Sequence, residues 1–298
     1  MKLHQIRDVL AVHERGSIRA AARHIGIAQP AVSRSIRELE HDLGARGVAL
    51  TPMGELFVRR AAAAHNELRQ ARDEINQRKG VTTGLVRVGL STASHLALLP
   101  TALDRFRAQF PNVTLKIQEG LFPAVENALM EGALDFYAGP LAETPPPQAF
   151  LVERLFDNGR RVFCRKGHRL ANARSLAELG DAEWISTTLT SQDRAELLPL
   201  FAALDLPQPR IVLHAASALS MVLAAAYSDL LVLLPEQQPG SPLTRDLLAC
   251  VPVREALPGA PIYIVHRARL PLTPAAEFLS DMLRRSAANR PAFAEERA

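Results

Sequence analysis

Five residues close together in the chain, Gln29, Pro30, Ser33, Arg34 and Arg37, carry chemistry suited to reading a nucleic-acid groove. Arginine offers a planar pair of donors that fits guanine edges, glutamine fits adenine, and serine reaches bases or phosphate. Their spacing decides whether they can act together. Val32, Ile36, Leu39 and Leu43 recur at intervals of four, three and four, which predicts the buried stripe of a helix. At about 100° per residue, Pro30, Arg34, Arg37 and His41 then point away from that stripe, with Gln29 and Ser33 on its flanks.

A groove reader needs a scaffold that holds this helix outward. Just ahead, Ile18, Ala21, Ala22 and Ile25 share one face of a shorter helix, with Ser17 placed to cap its start and Gly26 to allow a tight turn after it. Residues 2 to 14 predict a further helix whose Leu3, Ile6, Val9 and Leu10 pack behind the pair. This is a helix-turn-helix pattern. An Ala- and Arg-rich pair serving only as packing is the plainer alternative, and the full motif argues against it.

The stretch AAARHIGIAQPAVSRSIRELEHDLG resembles the winged helix-turn-helix of the LysR-type bacterial transcriptional regulators, whose pattern A-A-x-x-L-x-x-x-Q-P-A-V-S-x-x-I-x-x-L-E is nearly intact here. The likeness continues through Leu50-Thr51-Pro52-Met53-Gly54, where that family begins its linker helix. Two departures stand out. Ala28 occupies the N-cap position where the family usually has Ser or Thr. After Gly44, Arg46 runs straight into Gly47-Val48-Ala49-Leu50, so either the wing is truncated or residues are missing at this junction; the lack of two strands and a turn favours the second.

From Pro52 to about Lys79 the pattern becomes one long helix, with Thr51 as N-cap. Phe57, Ala61, Ala64, Leu68, Ala71 and Ile75 form a heptad seam, while Arg59, Arg60, Glu67, Arg69, Arg72 and Asp73 lie outside it. A partner helix explains such a seam better than packing within one chain. The resemblance implies the same: a homodimer through this helix, often a tetramer through the effector domains, with RNA polymerase a candidate further partner on promoter DNA.

After the small-residue break at 80–84, strands near 85–90, 113–118 and 134–138 alternate with helices from Ser91 to Phe110 and from Phe122 to Glu131. A second series follows, with strands near 161–165, 183–187, 210–214 and 230–234 and helices near 175–179, 192–204 and 218–227; a strand at 262–266 and a helix at 274–285 close the chain. Two β-α-β-α-β units predict two α/β lobes. The resemblance implies a periplasmic-binding-protein-like clamshell with crossings near Arg161–Lys166 and Ile262–Arg267. The expected domains are 1–51, 52–80 and 81–298, the last divided into lobe I (about 84–160 and 267–298) and lobe II (about 161–266).

Ligands of open α/β sheets bind beyond the carboxyl ends of the strands, where helix amino ends attract anions. That position selects Ser91, Thr92, Ser94, Gly120, Leu121 and Pro140 in the first unit and Thr187, Thr188 and Ser217 in the second, with His266, Phe163 and Leu189 as candidate wall. A small carboxylate or sulfonate, tilted toward an aromatic acid, is the expected effector. Each hydroxyl taken singly is better explained as a helix cap.

Composition limits the alternatives. Residues 1–80 hold 14 basic and 9 acidic side chains against 21 and 22 in the remainder, so the positive charge accompanies the groove reader. Two cysteines, Cys164 and Cys250, are too few for a disulfide framework or a zinc site and suit a reduced, cytoplasmic setting. No secretory leader or membrane span is expected, since the amino-terminal stretch is amphipathic and the apolar run near Ala215–Pro235 is interrupted. No nucleophile elbow, P-loop, zincin or dinucleotide motif occurs, so neither catalysis nor a cofactor is expected. A clamshell solute receptor or enzyme with a helical extension is the rival reading.

Overall fold

Glycines end the first two helices of the amino-terminal domain, because each stop needs a left-handed residue that only glycine adopts without cost. α1 (Leu3–Arg15) stops at Gly16 (φ 70°) and α2 (Ile18–Ile25) at Gly26 (φ 78°), each glycine N–H closing on a carbonyl of the preceding turn. Ser17 restarts the chain by accepting the Ala20 N–H at 3.2 Å. α3 (Gln29–Leu43) crosses both. Ala11, Val12, Ala21, Ala22, Val32 and Ile36 form the core between them. Two expectations fail at helix ends: Leu3 is 61% and Leu43 41% exposed, so burial on α1 begins at Gln5 and Ile6 and on α3 stops at Leu39. The chain is described, from a computed structural model, over residues 1–43, 51–141, 148–186, 197–215, 217–237 and 244–289. The wing region at Arg46-Gly47 lies outside the described residues.

α4 (Pro52–Arg78) starts on Thr51, whose hydroxyl accepts the Gly54 N–H at 3.1 Å. Its first turns join the domain through Val58, which packs with Val9 and Leu39. At 1.5 Å per residue the helix then carries the chain about 40 Å onward.

The next unit is β1 (Thr83–Leu90), α5 (Thr92–Ala97), α6 (Leu99–Gln109), β2 (Asn112–Glu119), α7 (Phe122–Met130) and β3 (Phe136–Pro140). β1 lies between β2 and β3, parallel to both. The single helix expected between Ser91 and Phe110 is two, broken at Leu98 ahead of Pro100. β4 (Phe150–Arg165) then runs for 16 residues through both lobes. The second unit comprises β5 (Glu183–Ser186), α8 (Leu197–Ala203), β6 (Arg210–His214), α9 (Ala218–Ala226) and β7 (Leu231–Pro235), with β5 parallel to β6 and β7. β8 (Leu248–Val251) pairs with β4, and β9 (Pro258–Arg267) and α10 (Pro274–Ala288) complete the chain.

β9 pairs antiparallel with β3 along its length and with the first half of β4. The second half of β4 pairs with β7 and β8. The crossings therefore fall at Gly159–Arg160 and between Val251 and Pro258, not at Arg161–Lys166 and Ile262–Arg267: the long-range pairing, which periodicity does not encode, puts β9 in the first lobe. Helices cover both faces of each sheet, so successive strand residues alternate between two cores. In lobe I, Val88, Leu90, Phe106, Phe136 and Leu279 form one and Phe122, Val125, Tyr137 and Val265 the other. In lobe II, Val162, Cys164, Trp184 and Phe201 lie opposite Phe163, Ile185, Val222 and Val232.

Candidate nucleic-acid interface and effector cleft

The side chains expected to read a groove are displayed as their spacing requires. Val32, Ile36 and Leu39 are buried, whereas Gln29, Pro30, Arg34 and Arg37 are exposed and Ser33 is half-buried. Ala28 starts α3 with its carbonyl, 3.0 Å from the Ala31 N–H, and its methyl caps nothing. Arg34 Nε donates to Glu38 Oε1 at 2.8 Å, and this hydrogen bond holds the Glu38 carboxyl below its usual range. Arg37 Nε donates to the Ser33 carbonyl at 3.2 Å. Solvent screens a pair this exposed, so it holds Arg34 only weakly.

The cleft follows from the registers at the crossings. Pro140 at the end of β3 pairs with Ile262, and four residues back along β9 Pro258 meets Gly159. Arg160 pairs with Pro235 at the end of β7, and the Glu236 N–H donates to the Gly159 carbonyl at 2.9 Å. The carboxyl ends of both parallel sheets thus point toward one hinge. Ser91, Gly120 and Pro140 gather there from lobe I: the Ser91 N–H donates to the Ala138 carbonyl and the Gly120 N–H to the Leu90 carbonyl. From lobe II, Ala215 is tied to the Ser186 carbonyl, with Ser217 heading α9.

Most of the lobe I polar groups are already committed. The buried Ser91 and Ser94 hydroxyls lie 3.0 Å apart, and Ser91 Oγ caps α5 by accepting the Ser94 N–H. The Thr92 hydroxyl donates to Glu119 Oε1 at 3.0 Å, which brings a carboxylate to the spot. At α7 the Phe122 N–H bonds the Tyr137 hydroxyl, whose pKa burial pushes far up, and that hydroxyl in turn donates to the Pro140 carbonyl at 3.2 Å. Ser217 differs: it is half-buried, and its side chain makes no capping bond at α9. Leu121 is exposed beside Gly120.

Two candidate wall residues are elsewhere. His266 pairs with Phe136 at the start of β3, the end remote from the cleft, because β9 runs antiparallel to β3. Burial there lowers its pKa. Phe163 is fully buried in the lobe II core. Thr187, Thr188 and Leu189 lie outside the described residues. Tyr137 was not singled out from the sequence; the signal was Gly139, where a Cβ would collide with the Tyr137 hydroxyl. Cys164 and Cys250 face opposite sides of the sheet, since Cys164 pairs with Ala249 and Cys250 with Phe163. Among the described residues, no cluster of three candidate ligands could hold a metal, and no helix is long and apolar enough to cross a membrane.

Comparisons with known proteins agree over most of the chain. Residues 3–61 match the family described as bacterial regulatory helix-turn-helix protein, lysR family, and residues 79–288 match the LysR substrate binding domain. The transcriptional regulator GbpR of Azospirillum brasilense is 26% identical over 77% of this chain and 70% of its own length. PcaQ of Agrobacterium fabrum is 32% identical over 57% of each chain. The fold is that of CbnR, a LysR family transcriptional regulator (TM-score 0.74, 18% identity, 96% of this chain and 99% of CbnR), which has also been solved with its target DNA.

Proposed function

The chain belongs to the LysR family of transcriptional regulators and joins its helix-turn-helix to its substrate-binding domain, and on that premise we propose that it works in the cytoplasm as a homodimer whose promoter binding responds to a small anion held between the lobes. The observation that carries the DNA half is the exposed row Gln29, Pro30, Arg34 and Arg37 above the buried Val32, Ile36 and Leu39. RNA polymerase is the further partner this reading implies. The dimer reading is supported by the later part of the α4 seam, where Ala64, Leu68, Ala71 and Ile75 are exposed; Ala61 is buried and Phe57 packs beside Val9, Leu39 and Val58, so these two belong to the chain's own core. Leu219 and Leu223, exposed on α9, and Tyr227 just after it support a tetramer through the effector domains.

The anion reading rests on the amino end of α9. Among the described residues no side chain caps its first N–H groups, and Ser217, whose hydroxyl makes no capping bond there, stands at the carboxyl end of a parallel sheet. A carboxylate or sulfonate fits that chemistry, while the committed hydroxyls of Ser91 and Ser94 leave them a structural part. The aromatic preference loses His266 and Phe163 as wall. An effector must bind one arrangement of the lobes better than the other, or it shifts nothing.

Thermal melting of the full chain against benzoate, aliphatic dicarboxylates, sulfonates and matched neutral amides tests the effector class. A ligand of the folded state at 100 times its Kd adds about 2.7 kcal/mol. The expected result is a concentration-dependent rise with at least one anion that weakens in Ser217→Ala; a rise only with neutral analogues overturns the anion. For DNA, duplexes selected by the wild-type chain from a random library should lose binding in Gln29→Ala/Arg34→Ala/Arg37→Ala while the ligand-induced rise persists. Retained DNA binding in that variant sinks the assignment of α3.

A further inference from the structure

The linker helix has a second patterned face. Asn66, Gln70, Asp73 and Gln77 repeat at intervals of four, three and four, two residues out of step with Ala64, Leu68, Ala71 and Ile75. Two residues are about 200° of helix, so this polar stripe lies opposite the apolar seam. It does not face water. Asn66 Nδ2 donates to the Glu131 carbonyl at 3.0 Å, and Arg87 Nη1 donates to Asn66 Oδ1 at 3.2 Å. Gln70 Nε2 donates to Asp135 Oδ1 at 2.7 Å, while its Oε1 accepts from Arg267 Nη2 at 2.8 Å. Gln77 Oε1 accepts the Ala275 N–H at the start of α10, at 2.9 Å.

Charged groups close the gaps between these amides. Glu67 pairs with Arg267, Arg69 with Asp73, and the Arg69 guanidinium also donates to the Leu85 carbonyl. Asp135, buried at the centre, takes the Arg87 N–H on its second oxygen at 2.7 Å. The fit is close: a Cβ on Gly84 would strike the Gln77 amide, and one on Gly132 would press on Glu67 and Arg267. Hydrogen bonds are directional, and a buried carboxylate stripped of its partners is costly. A rotated or slid helix would break them together, which an apolar contact would not enforce.

We infer that Gln70 and Asp135 are positioning residues that lock α4 onto lobe I in one rotational register. The lock has two consequences. It turns the apolar seam outward, away from lobe I, and it makes the helix and lobe I one body. A reorientation of lobe I then carries α4 and the groove readers with it and is not absorbed by a swivel after Arg78. This deepens the regulatory reading above and rests on it, but the distance measurement below depends on neither an identified effector nor DNA.

Spin labels on Arg59→Cys, exposed on α4, and Arg105→Cys, exposed on α6 of lobe I, report the angle in the full chain once unlabelled subunits are in excess. The original chain should give one narrow distance. Gln70→Leu, which keeps the volume and removes the bonds to Asp135, Gly132 and Arg267, and Asp135→Asn should broaden or displace it by several ångströms at temperatures where circular dichroism is unchanged. Phe106→Leu, a core change in lobe I away from the stripe, should lower the melting midpoint and leave the distance narrow. A narrow, unshifted distance in folded Gln70→Leu overturns the lock, as does broadening in Phe106→Leu equal to that in Gln70→Leu. Should Asp135→Asn fail to fold, Gln70→Leu alone decides.

Discussion

Replacing Leu68 and Ile75 together by alanine should separate the subunits while leaving each one folded. In the single chain these side chains are 49% and 53% exposed, so about half of each remains to be covered by a partner. Full burial of a Leu or Ile contributes about 1.5–3 kcal/mol, and the remaining half therefore about 1 kcal/mol. Two positions on two subunits sum to about 4 kcal/mol, or about a thousand-fold in the dissociation constant at about 1.4 kcal/mol per factor of ten. Sedimentation velocity across a dilution series reads this directly: a dimer becomes a monomer, and a tetramer held also through α9 becomes a dimer. Neither residue belongs to a core cluster of its own chain, so the melting midpoint of lobe I should hardly move, as for most surface changes. An unchanged stoichiometry over that range would refute the seam as the interface. Dissociation on Leu223→Ala with the seam intact would point to α9 instead.

Three further outcomes follow from local geometry. Ala28→Ser should add a missing cap to α3 and Ser17→Ala remove one from α2, each worth about 1 kcal/mol in opposite directions, seen as opposite shifts of the amino-terminal domain's melting transition. Burial pushes the Cys164 thiol up to about 11 and raises Cys250 as well, so both should react with Ellman's reagent at neutral pH far more slowly in the native chain than in urea; equal rates would contradict the burial. His65 and His266 are both lowered from 6.5, by burial first and then, at His65, by the Arg69 guanidinium. A depressed folded value means that the unfolded chain takes up the proton first. Their contribution is therefore complete above about pH 6.5 and lost as pH falls below it. His266→Gln should flatten the drop in denaturation midpoint between pH 7 and 5.

The amino-terminal domain was legible because its information is local. Ser17, Gly26 and the four-three run of Val32, Ile36 and Leu39 each state a turn, a cap or a face within a few residues, and the exposed side of α3 follows by angle alone. The two parallel units were legible for the same reason. What failed was pairing. Phe150–Arg165 reads FLVERLFDNGRR before its apolar end, with no clean alternation, because the strand leaves one lobe and enters the other. The sequence of β9 predicts a strand but not that it lies antiparallel to β3, which puts His266 beside Phe136 at the end of the sheet remote from the cleft. Hydroxyls after strands were recognisable as a group, yet only the packing tells that Ser91 and Ser94 satisfy each other while Ser217 does not cap its helix.

α4 shows a different kind of omission. Spacing reveals its apolar seam and places the charged residues outside it, but Asn66, Gln70 and Gln77 obey the same spacing on the opposite side. Carboxamides at helical intervals carry a donor and an acceptor each, so a row of them can dock only against a surface that returns both, and water satisfies them without any such order. A helix with one apolar and one amide stripe is therefore built to hold two neighbours at once. Here the second neighbour is lobe I, through Asp135, Arg87 and Arg267. In the proposed dimer the partner subunit would hold the side of these three turns opposite lobe I, and a twist imposed on one side would have no slack in which to vanish before it reached the other.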